Sequence, residues 1–111
     1  MTFGNEDPQG AALEICYGMV RARHRNSLDA ERLIEPGAVV EYRIQLGATA
    51  CRFVRGHRIR LEITSSDFPN HDRNHNVGRN DLEEVEMVCA EQRVLHGKGY
   101  ASRLLLPVQI A

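Results

Sequence analysis

The chain contains no tryptophan, and it has three phenylalanines and three tyrosines in 111 residues. That scarcity gives thin support to a carbohydrate-binding module, since sugar sites commonly use aromatic platforms. Cysteine is also scarce: Cys16, Cys51 and Cys89 are an odd, widely spaced set without a Cys-x-x-Cys pair. Each lies in an apolar stretch, so the three read as buried thiols in a reducing, cytoplasmic setting. Nowhere do about 18 apolar residues run together, so no helix crosses a bilayer. The polar first ten residues carry no charged-then-apolar leader pattern. Charge of one sign is missing as well. Fourteen Lys and Arg face 15 Asp and Glu, for a net charge of -1, which gives no long-range attraction to nucleic acid or an anionic membrane surface. Repeats and low-complexity tracts are absent.

What is present is short-range alternation. Hydrophobic residues make up 42% of the chain, enough for the core of one domain or less. Residues 1–10 read as a turn or linker, because Asp7, Pro8 and Gly10 are turn formers. Residues 12–16 form a short extended segment. Val20, Ala22 and His24 then alternate with Arg21, Arg23 and Arg25, which predicts a strand over 19–25 with a solvated arginine face. Glu35, Pro36 and Gly37 make a turn. The clearest strand follows, with Val40, Tyr42, Ile44 and Leu46 against Glu41, Arg43 and Gln45. A further strand covers 49–54. After a turn at 55–57, Ile59, Leu61 and Ile63 alternate with Arg58, Arg60 and Glu62 in a half-buried antiparallel strand over 58–65.

Residues 66–81 are polar, aperiodic and rich in Asn, Asp and Gly, and so form a long loop, a kind of segment more often functional than idle. Extended character resumes over 84–95, with Val85, Met87 and Cys89 on one face. A turn at 98–100 leads to a last strand carrying Leu104, Leu106, Val108 and Ile110, where Pro107 suits an edge. About seven short strands with little helix predict an all-β antiparallel sandwich or barrel.

Several stretches, in this order and spacing, resemble a known family. They are residues 18–25, 33–37, the run from Phe53 through Gly56 to Asn74, Asn76 to Gly78, and 102–108. Together they resemble the C-terminal domain of the serine-hydrolase family containing cocaine esterase, glutaryl acylases and X-Pro dipeptidyl-peptidases. The resemblance covers nearly the whole chain from about Asp7 onward and is most specific over 56–74. It implies a jelly-roll β-sandwich of the galactose-binding-like type, occupying residues 11–111. It also implies packing against an α/β-hydrolase domain that carries a Ser-His-Asp triad. The family has several strands before the position of Asp7, so the sandwich here is incomplete. Where His71 stands the family usually has an aromatic residue.

The chain by itself holds no catalytic site. A hydrolase of this type sets its nucleophile on a Gly-x-Ser-x-Gly elbow between a strand and a helix, and Ser27, Ser65, Ser66 and Ser102 have no such setting. No cofactor is implied. His71, Asp72 and His75, with His57 as a third imidazole, invite a metal reading. Two histidines four apart chelate well on a helix, however, and Pro69 with its asparagine neighbours disfavours one, so no metal site is expected. The better candidate is a domain-docking loop of Asp67, Phe68, Pro69, Asp72, Arg73 and Asn74. There proline pushes Phe68 into extended backbone, Asp72 and Arg73 form a local pair, and Asn74 or Asn76 closes an Asx turn. The alternative is that these residues merely stiffen a long connection.

Missing inner strands would uncover ~300 Å² of apolar surface, about 7 kcal/mol, comparable with the stability of a whole domain. Cover is therefore expected from another polypeptide, either an α/β-hydrolase domain or a second copy in a homo-oligomer. A stand-alone carbohydrate- or protein-binding module and an inactive truncated remnant are the alternative functions.

Overall fold

The computed structural model describes residues 1–80 and 82–109. The chain divides into two compact units, Met1–Asn74 and His75–Ala111. Expectations that fall on Asp81 and Ile110 lie outside the described residues.

The first unit is built around one antiparallel sheet of three strands in the order β2-β1-β3, with β1 Thr2–Glu6, β2 Ala12–Tyr17 and β3 Arg58–Glu62. The central strand is the stretch read from sequence as a linker. The turn is confined to the residues that follow it, and its chemistry explains the hairpin. Asp7 Oδ1 accepts the amides of Gln9 and Ala11 at 2.9 and 2.8 Å. The Asp7 amide donates to the Ala11 carbonyl at 2.9 Å, and Gly10 takes φ 90°, a value glycine adopts without steric cost. This is an Asx-type turn that reverses the chain directly into β2.

Opposite residues fix the faces. Phe3 stands against Cys16 on β2 and Leu61 on β3, and Asn5 stands against Leu13 and Ile59. A bulge follows Phe3, since Gly4 is opposite Glu14 and Ile15 is skipped. A side chain at Gly4 would press on the Leu13 carbonyl oxygen, so glycine suits the bulge. Phe3 is 4% exposed and is the buried apolar residue among those described. The Phe53 ring meets it edge-on, with centroids 5.8 Å apart. On the other face Glu6 is held between two arginines, Arg58 at 2.8 Å and Arg60 at 3.3 Å. Arg60 also reaches Glu62 at 2.7 Å, and these two carboxylates raise its already high pKa.

The strand expected over 19–25 is replaced by a loop with a 3-10 turn at Ala22–His24. The physical reason is local capture. The Arg25 guanidinium donates to the carbonyls of Ala22 at 2.8 Å and Arg32 at 2.5 Å, while Glu31 lies 3.5 Å from both Arg23 and His24. Residues 40–46, 49–54, 84–95 and 104–109 likewise form no ladder among the described residues. Their alternation survives as exposure: Val40, Ile44 and Leu46 are half-buried, while Glu41, Arg43 and Gln45 are exposed. A strand also needs a mate along a hydrogen-bonded ladder, and among the described residues no such ladder reaches them. The thiols differ from expectation too, with Cys51 and Cys89 exposed and Cys16 half-buried.

In the second unit, Arg79 meets the Glu84 carboxylate at 2.5 Å, and Glu84 Oε1 accepts the amides of Val85 and Glu86 at 3.0 Å each. The expected turn at 98–100 is present as a bridge between Gly97 and Tyr100.

The fold is all-β. Among the described residues the one helical element is the three-residue 3-10 turn, and no helix is long and apolar enough to cross a membrane. Leu13, Tyr17, Ile59 and Leu61 on the outer strands are all 40% exposed or more. A three-stranded sheet with so much uncovered apolar surface is consistent with an incomplete sandwich.

Two outcomes follow from these geometries. Asp7→Ala removes both side-chain bonds of the hairpin turn and is expected to cost about 2 kcal/mol, with faster hydrogen exchange at the Gln9 and Ala11 amides. Asp7→Asn keeps an acceptor oxygen and loses less. Glu84 is held below the usual carboxylate range, first by the Glu86 amide and also by Arg79 and the Val85 amide, against an opposing desolvation. Its contribution to stability is complete above the ordinary carboxylate pKa and disappears as pH falls through the depressed folded value. A carbon-13 titration of the Glu84 carboxyl is expected to give a low midpoint that Arg79→Ala raises only in part.

Candidate functional site

The loop following β3 is assembled from local contacts that begin at Asp67. The Asp67 carbonyl accepts the His71 amide at 3.0 Å. Its carboxylate accepts the Asn70 side-chain amide at 3.4 Å and lies 3.8 Å from His71 Nε2. Phe68 and Pro69 therefore sit in a closed turn, and the peptide between them is cis. The turn exists because an Asp and an Asn three residues apart can bond across it.

Two aromatic contacts orient the loop. The Arg73 guanidinium carbon lies 5.2 Å above the Phe68 ring centroid, within the range of a cation–π contact. Arg73 thus covers Phe68, and the pair expected between Asp72 and Arg73 does not form. The ring of His71 stands 6.5 Å from Tyr17 at the end of β2, tilted by 59°. His71 thus meets Tyr17 as one ring meets another. Its Nε2 is shielded from solvent without a hydrogen-bond partner among the described residues. Phe68 stays 62% exposed with the cation alongside, so this loop presents an apolar ring, a positive charge and the Asp72 carboxylate within a few residues.

The remaining candidates are dispersed. His57 donates from Nδ1 to Asn5 Oδ1 at 2.9 Å, tying β3 to β1. Asn76 adopts φ 61° and donates to the Val88 carbonyl at 2.8 Å, and the Val88 amide returns to the His75 carbonyl. That bond and its return clasp Asn76 to a later segment. Among the described residues no three His, Cys, Asp or Glu side chains gather as metal ligands. Ser27 Oγ accepts the Asp29 amide, and Ser102 Oγ donates to the Leu95 carbonyl. Both hydroxyls serve local backbone. A shallow open groove of about 90 Å³ lies on the polar face of the sheet between Leu13, Glu14, Arg60 and Glu62, without an aromatic wall. The hairpin aspartate, Asp7, was missed as an organising residue, although Asp-Pro-x-Gly between Phe3 and Leu13 was a usable signal.

Comparison with known proteins completes the description. Residues 5–105 match the family model described as the X-Pro dipeptidyl-peptidase C-terminal non-catalytic domain. The chain is 41% identical over 105 residues to cocaine esterase from Rhodococcus sp. (strain MB1 Bresler). That match takes in 91% of this chain and 18% of the esterase, so the chain spans under a fifth of that relative's length. No solved structure matches it. With nearly its whole length matched, the chain belongs to the family of X-Pro dipeptidyl-peptidase C-terminal non-catalytic domains.

Proposed function

We propose that this chain is a non-catalytic accessory piece that packs against a serine-hydrolase domain and shapes the entrance of its active site. The associated hydrolase acts on esters, amides or X-Pro peptides. The observation that carries this reading is the match of residues 5–105 to a domain described as non-catalytic. An esterase relative in which the corresponding region is 18% of the length adds support. The exposed outer strands and the loop at 67–74 supply contact surface of the right kind, since aromatic and arginine side chains are favoured anchors of interfaces. Phe68 and Arg73 are the anchors in this proposal, and Asp67 is the residue that holds them in place. Asp72 and Asn74 form the polar rim. The chain works in a reducing compartment such as the cytoplasm, in keeping with its three free thiols.

Two experiments test the proposal. The purified chain is expected to resist labelling by a fluorophosphonate probe, because among the described residues no serine hydroxyl is paired with a general base. Stoichiometric labelling at a serine would refute the accessory role. Mixed with the Rhodococcus esterase from which the matching region has been deleted, the chain is expected to co-elute in gel filtration. Phe68→Ala and Arg73→Ala should each weaken that association about ten-fold, or about 1.4 kcal/mol. Unchanged binding by both variants would remove the loop from the interface.

A further inference from the structure

The segment at 38–46 has the strongest strand pattern in the sequence and the least use for it. Among the described residues, no amide or carbonyl from 39 to 53 takes part in a backbone hydrogen bond. Even so, the segment keeps a strand-like alternation of half-buried Val40, Ile44 and Leu46 with exposed Glu41, Arg43 and Gln45. It is anchored to its own unit, since a side chain at Gly18 would collide with the Gln45 carbonyl. An anchored run of unpaired backbone with a strand's alternation is a template for pairing with another strand.

We propose that this segment pairs antiparallel with itself in a second copy of the chain, about a two-fold axis at Tyr42. The residues choose both the partner and the register. In an antiparallel pair, side chains directly opposite share a face, so a pairing that mixes the apolar and polar sets is excluded. Among the registers that keep the faces apart, centring on Arg43 sets two arginines opposite each other, and centring on Glu41 does the same to two glutamates. Centring on Ile44 leaves Glu41 facing a glycine. Centring on Tyr42 sets Glu41 against Arg43 of the second copy twice, Val40 against Ile44 twice, and Tyr42 against Tyr42. Across 40–44 every charge meets its opposite and every apolar residue meets an apolar one, and on the charged face Val39 lies opposite Gln45.

In the single chain, Glu41 and Arg43 pair with each other at 3.5 Å, with side chains 75% and 89% exposed. Such a solvated pair contributes little and is readily exchanged for contacts across the two-fold. A self-complementary patch of this kind is what a closed dimer requires, and the proposal is independent of the contact suggested for the 67–74 loop.

The test is a charge exchange followed by sedimentation velocity on the full chain. The unaltered chain is expected to dimerise at micromolar concentration. Glu41→Arg sets arginine against arginine, Arg43→Glu sets glutamate against glutamate, and each should weaken self-association at least about ten-fold. The two single variants are complementary to each other at both positions. Mixed in equal amounts, they should form a dimer containing one of each, and the double variant E41R/R43E should again pair with itself. Recovery in the mixture also shows that the single variants are folded. A monomeric unaltered chain, single variants that dimerise as well as it does, or a mixture that stays monomeric would each overturn the register and with it the proposal.

Discussion

The pairing of β1 on both sides is the constraint from which the described order of the first unit follows. Thr2–Glu6 has β2 on one edge and β3 on the other, so its amides and carbonyls find partners on both sides, and it brings residues more than fifty positions apart into register. Phe3 becomes the buried residue because it sits on this central strand, between Cys16 and Leu61 and under Phe53. Glu6 becomes the hub of the polar face for the same reason. A carboxylate on the middle strand can be reached by both Arg58, directly opposite, and Arg60, two residues along. Without β1, the segments β2 and β3 would lose their common mate and fall into the condition of the unpaired segments.

That contrast accounts for what was legible in the sequence. The turns were legible because their chemistry is local. Gly37 and Gly56 take positive φ, the amides of the following Ala38 and His57 donate to the carbonyls of Glu35 and Val54 at 3.0 and 3.1 Å, and the bridge between Gly97 and Tyr100 lies where a turn was expected. β3 was legible from alternation, and β2 as a short extended segment. β1 was not, since Thr-Phe-Gly-Asn-Glu holds a single large apolar side chain and is a strand through its neighbours rather than by propensity. The opposite error came at 19–25 and 40–46. There a period of two was present, but a ladder depends on a second strand that no local pattern contains. At 19–25 the arginines found carbonyls and Glu31 in the adjoining loop instead.

The loop at 67–74 was legible as a structured connection, while its internal wiring was not. Proximity in sequence suggested that Asp72 and Arg73 would pair, but a charge exposed on both sides gains little from such a pair. Arg73 also gains contact area by covering Phe68. Asp67, which organises the turn through its carbonyl and its carboxylate, is the residue on which the position of Phe68 and Arg73 depends.

A balanced charge and an uncovered sheet together determine how such a chain can associate. With a net charge of -1 there is little field to steer a partner from a distance, so attraction begins only at contact. Contact here offers apolar side chains on outer strands and backbone groups without mates, both of which stabilise through fit and not through reach. Whatever covers these surfaces adds its binding free energy to the stability of the fold. In the associations proposed for this chain, folding and binding would be one equilibrium. Its unpaired segments are the places where the two meet, which is why the strongest strand pattern in the sequence lies outside the sheet that the chain builds alone.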